Sequence, residues 1–169
     1  MNLFSNNNFH NFFPFITTFM SFIFMSLPLL PSGMGEITPM IGVIVLAYWL
    51  IYLGHLMPFY VVFSLGLLFD VLTGTIFGLG GFAAIISKLI IIQLTKQKYK
   101  TSAIQTFLVI ILILILWNLI IAFPIIIMNF KTLNYLPLLF QILCSITLSP
   151  LLIILLNFFL RKMERYSYD

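Results

Sequence analysis

The sequence predicts an all-α integral membrane protein whose single domain crosses the bilayer six times. Three observations lead there. The chain of 169 residues is 62% hydrophobic and only 7% charged, against about 25% charged in a soluble domain. Its mean hydropathy is +1.18, more apolar surface than a core of this size can hide, so lipid must be the solvent. The apolar residues fall into runs of about 20, the length that crosses a hydrocarbon layer, separated by clusters of Gly, Pro, Asn and Lys.

Residues 1–11 are polar and Asn-rich, with Asn2, Asn6, Asn7, Asn8 and Asn11, and read as a disordered tail. The first span covers about 12–30. It lacks the basic start and the small-residue cleavage site of a signal peptide, so it reads as a retained helix. Pro14 suits its first turn, and Pro28 and Pro31 help to end it. The loop that follows, PSGMGEIT, carries Glu36. Pro39 opens the second span (39–53), which closes on Tyr48, Trp49 and Tyr52, rings that favour the headgroup level. Spans at 58–71 and 76–94 share so few residues that both must be short or nearly upright; a turn at Thr73, Gly74 and Thr75 separates them. The fifth span (103–128) is broken only by Trp117, Asn118 and Pro124, and the sixth (135–159) carries Pro150. The six-helix domain thus occupies 12–160, followed by a basic tail over 161–169.

The net charge is +4 and sits in two clusters, Lys96, Lys98 and Lys100 in one, Arg161, Lys162 and Arg165 in the other. Both read as basic groups at a membrane surface rather than as a nucleic-acid face. The positive-inside bias puts both on the cytoplasmic side. Two spans lie between them and four precede them, so both termini are expected in the cytoplasm. The first 87 residues contain no Lys or Arg; parity alone orients that half.

The stretch Leu65–Gly81 organises the rest. It holds Asp70, the only acidic residue between Glu36 and Glu164, and Gly66, Asp70, Gly74 and Gly78 recur every fourth residue. On one continuous helix these would form a ridge of small residues drifting by about 40° per step, a seam where helix backbones approach closely in lipid. Two readings of Asp70 stay open. An acid inside a membrane segment is costly and serves a partner or a pathway, or it satisfies free N–H groups at the start of the next helix. Lys88 reads as a snorkelling side chain. Gln141, Ser145 and Ser149, spaced by four, read as a helix contact, and Asn118 as a hydrogen bond to a neighbouring helix.

Catalysis is not expected. General acid–base work needs titratable groups within reach of each other, and here the few ionisable residues sit mostly at loop ends. The two histidines, His10 and His55, are far apart, and Cys144 is the sole cysteine. No metal site, cofactor or internal disulfide follows from this set.

The pair Tyr48-Trp49, then Pro58, Phe63, Gly66-Leu67-Leu68, Asp70, Gly74 and Gly78 resembles the rod shape-determining protein MreD family, in which a YW pair closes one helix and F-x-x-G-L-[LI]-x-D-x-[LM]-x-G-x-x-x-G crosses the next two. The match is specific over Tyr48–Gly81 and compositional elsewhere. The resemblance implies a non-enzymatic scaffold of the bacterial cell-elongation complex in the inner membrane. Its expected partners are an MreC-like bitopic protein, an MreB-like filament, a RodA-like glycosyltransferase and its penicillin-binding transpeptidase, together with membrane lipid. Gly66, Asp70, Gly74, Gly78, Tyr48 and Trp49 are the expected partner-binding residues. The family's helix arrangement also resembles the S component of energy-coupling-factor transporters. That supplies an alternative, a small-molecule (vitamin) uptake subunit, although the Ala-x-x-x-Ala coupling pattern of such components is missing from the first span.

Overall fold

The computed structural model describes residues 7–27, 38–95, 102–128 and 135–166. They form six helices: α1 (Asn7–Ser26), α2 (Ile41–Leu53), α3 (Phe59–Thr73), α4 (Leu79–Thr95), α5 (Ala103–Met128) and α6 (Tyr135–Tyr166). The all-helical class is as expected from the sequence. Two stretches, Ala103–Pro124 and Leu136–Lys162, are long and apolar enough to cross a membrane; Phe12–Ser26, Ile41–Leu53, Phe59–Thr73 and Leu79–Thr95 are apolar but shorter.

The outer boundaries of the first and last helices change most. Asn7–Asn11 belong to α1 and not to a disordered tail. Pro14 therefore lies about two turns inside the helix rather than in its first turn, where the missing N–H does cost a backbone bond. The hydroxyls of Thr17 and Thr18 donate to carbonyls of the same stretch, Phe13 at 2.9 Å and Pro14 at 2.6 Å. At the other end, α6 continues to Tyr166. Arg161, Lys162, Met163, Glu164 and Arg165 are all good helix formers, so the expected basic tail begins as helix.

The fold is built around α2. Every residue from Gly42 to Leu50 is buried, so this helix has no free face, unlike the one-sided stripe of a surface helix. It packs against α1, α4, α5 and α6. Gly42 is what lets α1 in: a Cβ there would overlap the Phe22 ring. The aromatic core continues outward from α2. Trp49 meets Phe13 edge-on at 5.9 Å, and Trp117 of α5 meets Phe69 of α3 at 5.5 Å and 84°. The indole N–H groups of Trp49 and Trp117 are buried without a hydrogen-bond partner among the described residues.

Each end of α2 is tied to a long helix. At its start, the Met40 N–H donates to Ser145 Oγ at 2.9 Å, and Gln141 Nε2 donates to the Thr38 carbonyl at 3.1 Å. Asn118 Nδ2 lies 3.3 Å from Met40 Sδ while donating to its own Leu114 carbonyl at 3.0 Å. The α6 stripe of polar residues is thus a helix contact, as its spacing suggests. Near the other end, Tyr48 donates to Asn157 Oδ1 at 2.7 Å, and the Tyr52 hydroxyl pairs with Thr106 Oγ1 at 3.0 Å.

Candidate functional site at the α3–α4 hairpin

Helix α3 buries Val62, Leu65, Gly66, Phe69 and Asp70, the i, i+3, i+4, i+7, i+8 positions of one face. Helix α4 answers with small residues, Gly80, Gly81, Ala83, Ala84 and Ser87. The two backbones touch. A Cβ on Gly66 would stand 2.6 Å from the Gly80 carbonyl carbon and from the Gly81 Cα, and one on Gly81 would stand 2.7 Å from the Phe63 ring. No side chain fits at Gly66, because what faces it is main chain that cannot swing aside.

Asp70 closes the hairpin. It is 1% exposed. Its carboxylate accepts the Thr75 hydroxyl at 2.7 Å, the Gly78 N–H at 2.8 Å and the Gly80 N–H at 2.8 and 3.0 Å. The residue preceding α4 is Gly78, whose carbonyl takes the Phe82 N–H at 2.9 Å. Gly78 has no side chain with which to cap the orphan amides of the first turn. The acid eight residues upstream does so instead, and its negative charge lies at the positive end of the helix dipole. Of the two readings of Asp70, the capping one describes its contacts.

The ridge expected over Gly66, Asp70, Gly74 and Gly78 does not form. The chain leaves the helix after Thr73, and the fourth-residue spacing is cut there. Gly74 takes the left-handed conformation (φ 68°) that ends α3 and Gly78 has φ 102°; a Cβ on either would meet nothing within 4 Å. Gly66 packs instead against Gly80 and Gly81. Leu65–Gly81 contains both, yet their spacing from Gly66 becomes meaningful only once the turn folds α4 back.

Tyr48 and Trp49 are also placed differently from expectation. Both are fully buried rather than turned out toward lipid headgroups, because α2 is enclosed by its neighbours. Neither ring offers surface to a partner. Asn157, which holds the Tyr48 hydroxyl, carries no sequence signal that links it to position 48.

Lys88 is turned toward the α2–α3 turn. It is 5% exposed; its ammonium donates to the Met57 carbonyl and lies 4.4 Å from the centroid of the Phe59 ring. Arg161 and Lys162 are exposed at the end of α6. Lys96, Lys98 and Lys100 lie outside the described residues, as does the side chain of Arg165. Among the described residues no three His, Cys, Asp or Glu side chains gather where they could share a metal ion.

No family model matches the chain, and no curated protein or solved structure matches it.

Proposed function

We propose that the chain is a six-span, non-enzymatic scaffold of the bacterial cell-elongation complex, which binds an MreC-like bitopic partner in the inner membrane and supports peptidoglycan synthesis and cell shape. One observation carries the reading: the residues of the MreD-like motif are consumed in packing. Phe63 and Gly66 meet Gly80 and Gly81, Asp70 caps α4, Gly74 ends α3 and Tyr48-Trp49 fill the core. A motif spent on rigidity, with no acid–base set beside it among the described residues, suits a protein whose work is to present a shaped surface.

The surface of the two long helices supports a place in the membrane. The outward side chains of α5 include Ile104, Leu108, Ile115, Leu119 and Phe123, and those of α6 include Leu139, Leu143, Ile154 and Phe158, all more than two-fifths exposed. Soluble monomers do not leave apolar faces of that extent in water. The four shorter helices join these two in one bundle, with α2 shielded from lipid by its neighbours. The MreC-like helix is received on the outer side of the α3–α4 hairpin, where Phe63 and Phe82 are exposed. Gly66 and Asp70 shape that side from beneath, and both termini lie in the cytoplasm.

Depletion in the protein's own cell tests the reading. Rods that round up and lose directed wall synthesis are the expected result. Cells that keep their shape and show a growth defect rescued by a vitamin would overturn the scaffold in favour of an uptake subunit.

A further inference from the structure

Lys88 places a cation inside the helical bundle with no acid beside it among the described residues. The two groups described at its ammonium are neutral, the Met57 carbonyl and the Phe59 ring. Asp70 caps α4 at the opposite end of α3, about 16 Å away along eleven residues of helix. A carbonyl and a ring face solvate an ammonium but do not neutralise it, and an uncompensated charge in a membrane segment is costly to keep. An anionic ligand that reached the ammonium would offset that cost.

Where the charge sits says which anion. Met57 immediately precedes Pro58, the residue before the first turn of α3. The Lys88 side chain thus carries its charge from mid-α4 to the α2–α3 turn, the level at which the headgroup layer begins in the six-span reading. The cover over it is thin: the Phe59 ring is 45% exposed, and its neighbour Tyr60 is 73% exposed. Beneath that ring the ammonium has three N–H donors and one described hydrogen bond. Tyr60 supplies a phenol at the same level, and apolar Phe63 and Leu89 continue the exposed surface along which acyl chains would lie.

We propose that Lys88 is the anchoring cation of a binding site for the phosphate of an anionic phospholipid, with Phe59 as its movable cover. Cations lodged between transmembrane helices near the headgroup level are suited to this ligand. The site rests on the six-span reading but not on the scaffold role.

Native mass spectrometry tests it on the full chain released from nanodiscs of mixed phosphatidylglycerol and phosphatidylethanolamine. The wild type should retain phosphatidylglycerol selectively. Lys88→Gln should lower that affinity about fivefold, the effect of one cation beside an anionic headgroup. Lys88→Arg should keep it, and Phe59→Ala should raise it. Replacing Arg161 and Lys162 by Gln should leave the tightly held lipid in place. Equal retention of the two lipids by the wild type, or undiminished retention by Lys88→Gln, overturns the site and leaves Lys88 as a tie to the α2–α3 turn. If Lys88→Gln fails to fold, wild type and Phe59→Ala decide: added phosphatidylglycerol, and not phosphatidylethanolamine, must raise their melting temperatures. Extraction of membranes with alkaline carbonate separates the two failures, since release of the protein sinks the six-span reading itself.

Discussion

Replacing Asp70 by Ala should unseat the start of α4. Three donors lose their acceptor at once: the Thr75 hydroxyl, the Gly78 N–H and the Gly80 N–H. Thr75 and Gly78 are part-buried and recover some hydration, whereas the Gly80 bond is buried. Leaving a buried donor unpaired costs about 1–3 kcal/mol, and loss of the charge at the helix start adds about 0.3–1 kcal/mol. The sum is about 3 kcal/mol. At about 2–4 °C per kcal/mol for a chain of this size, the apparent melting temperature in detergent should fall by about 6–12 °C. Asp70→Asn keeps one acceptor oxygen and should lose about half as much. The pair separates a cap from a recognition group. If Asp70→Ala melts with the wild type while partner recovery is abolished, Asp70 serves a partner and the capping argument is wrong.

The other predictions concern the same interfaces. Gly66→Ala forces a methyl against the Gly80 and Gly81 backbone, and should cost about 3 kcal/mol or more, the upper range of overpacking, read as a fall in melting temperature. Gly66→Leu and Asp70→Lys should reduce co-purification of the MreC-like partner while the protein still inserts; unchanged recovery in both would count against the hairpin as the receiving surface. Tyr48→Phe removes the 2.7 Å bond to Asn157 and should cost about 1 kcal/mol, visible as a small melting shift with partner recovery intact.

What the sequence discloses follows the range of the interactions involved. Helix existence was legible, since apolar run length and Pro, Gly and Asn punctuation act within one segment. So was the polar stripe of Gln141, Ser145 and Ser149, because a spacing of four marks one face. Asp70 was legible as one of two alternatives: an acid just before a turn can cap the next helix, and only the fold-back of α4 shows that it does. The glycine seam was misread because the fourth-residue rule presumes an unbroken helix, and Gly74 breaks it. Tyr48 and Trp49 were misplaced for a different reason. Aromatic rings at the end of an apolar run go to the headgroups when the helix faces lipid. Here α2 has neighbours on every side, a property of α1, α4, α5 and α6 that no local pattern in 41–53 records. The same holds for Lys88, whose carbonyl partner lies thirty-one positions away.

The claim on which the account turns is a six-crossing bundle closed around α2. Its most direct measurement is cysteine labelling in intact cells, in a Cys144→Ser background that removes the sole native thiol. Single cysteines at positions 3, 74, 98, 131 and 168 would be exposed to a maleimide that cannot cross the membrane. Labelling at 74 and 131 from outside, with 3, 98 and 168 reached only after permeabilisation, is the predicted result. Labelling of just one of positions 3 and 168 from outside would put the termini on opposite faces and contradict the bundle as described.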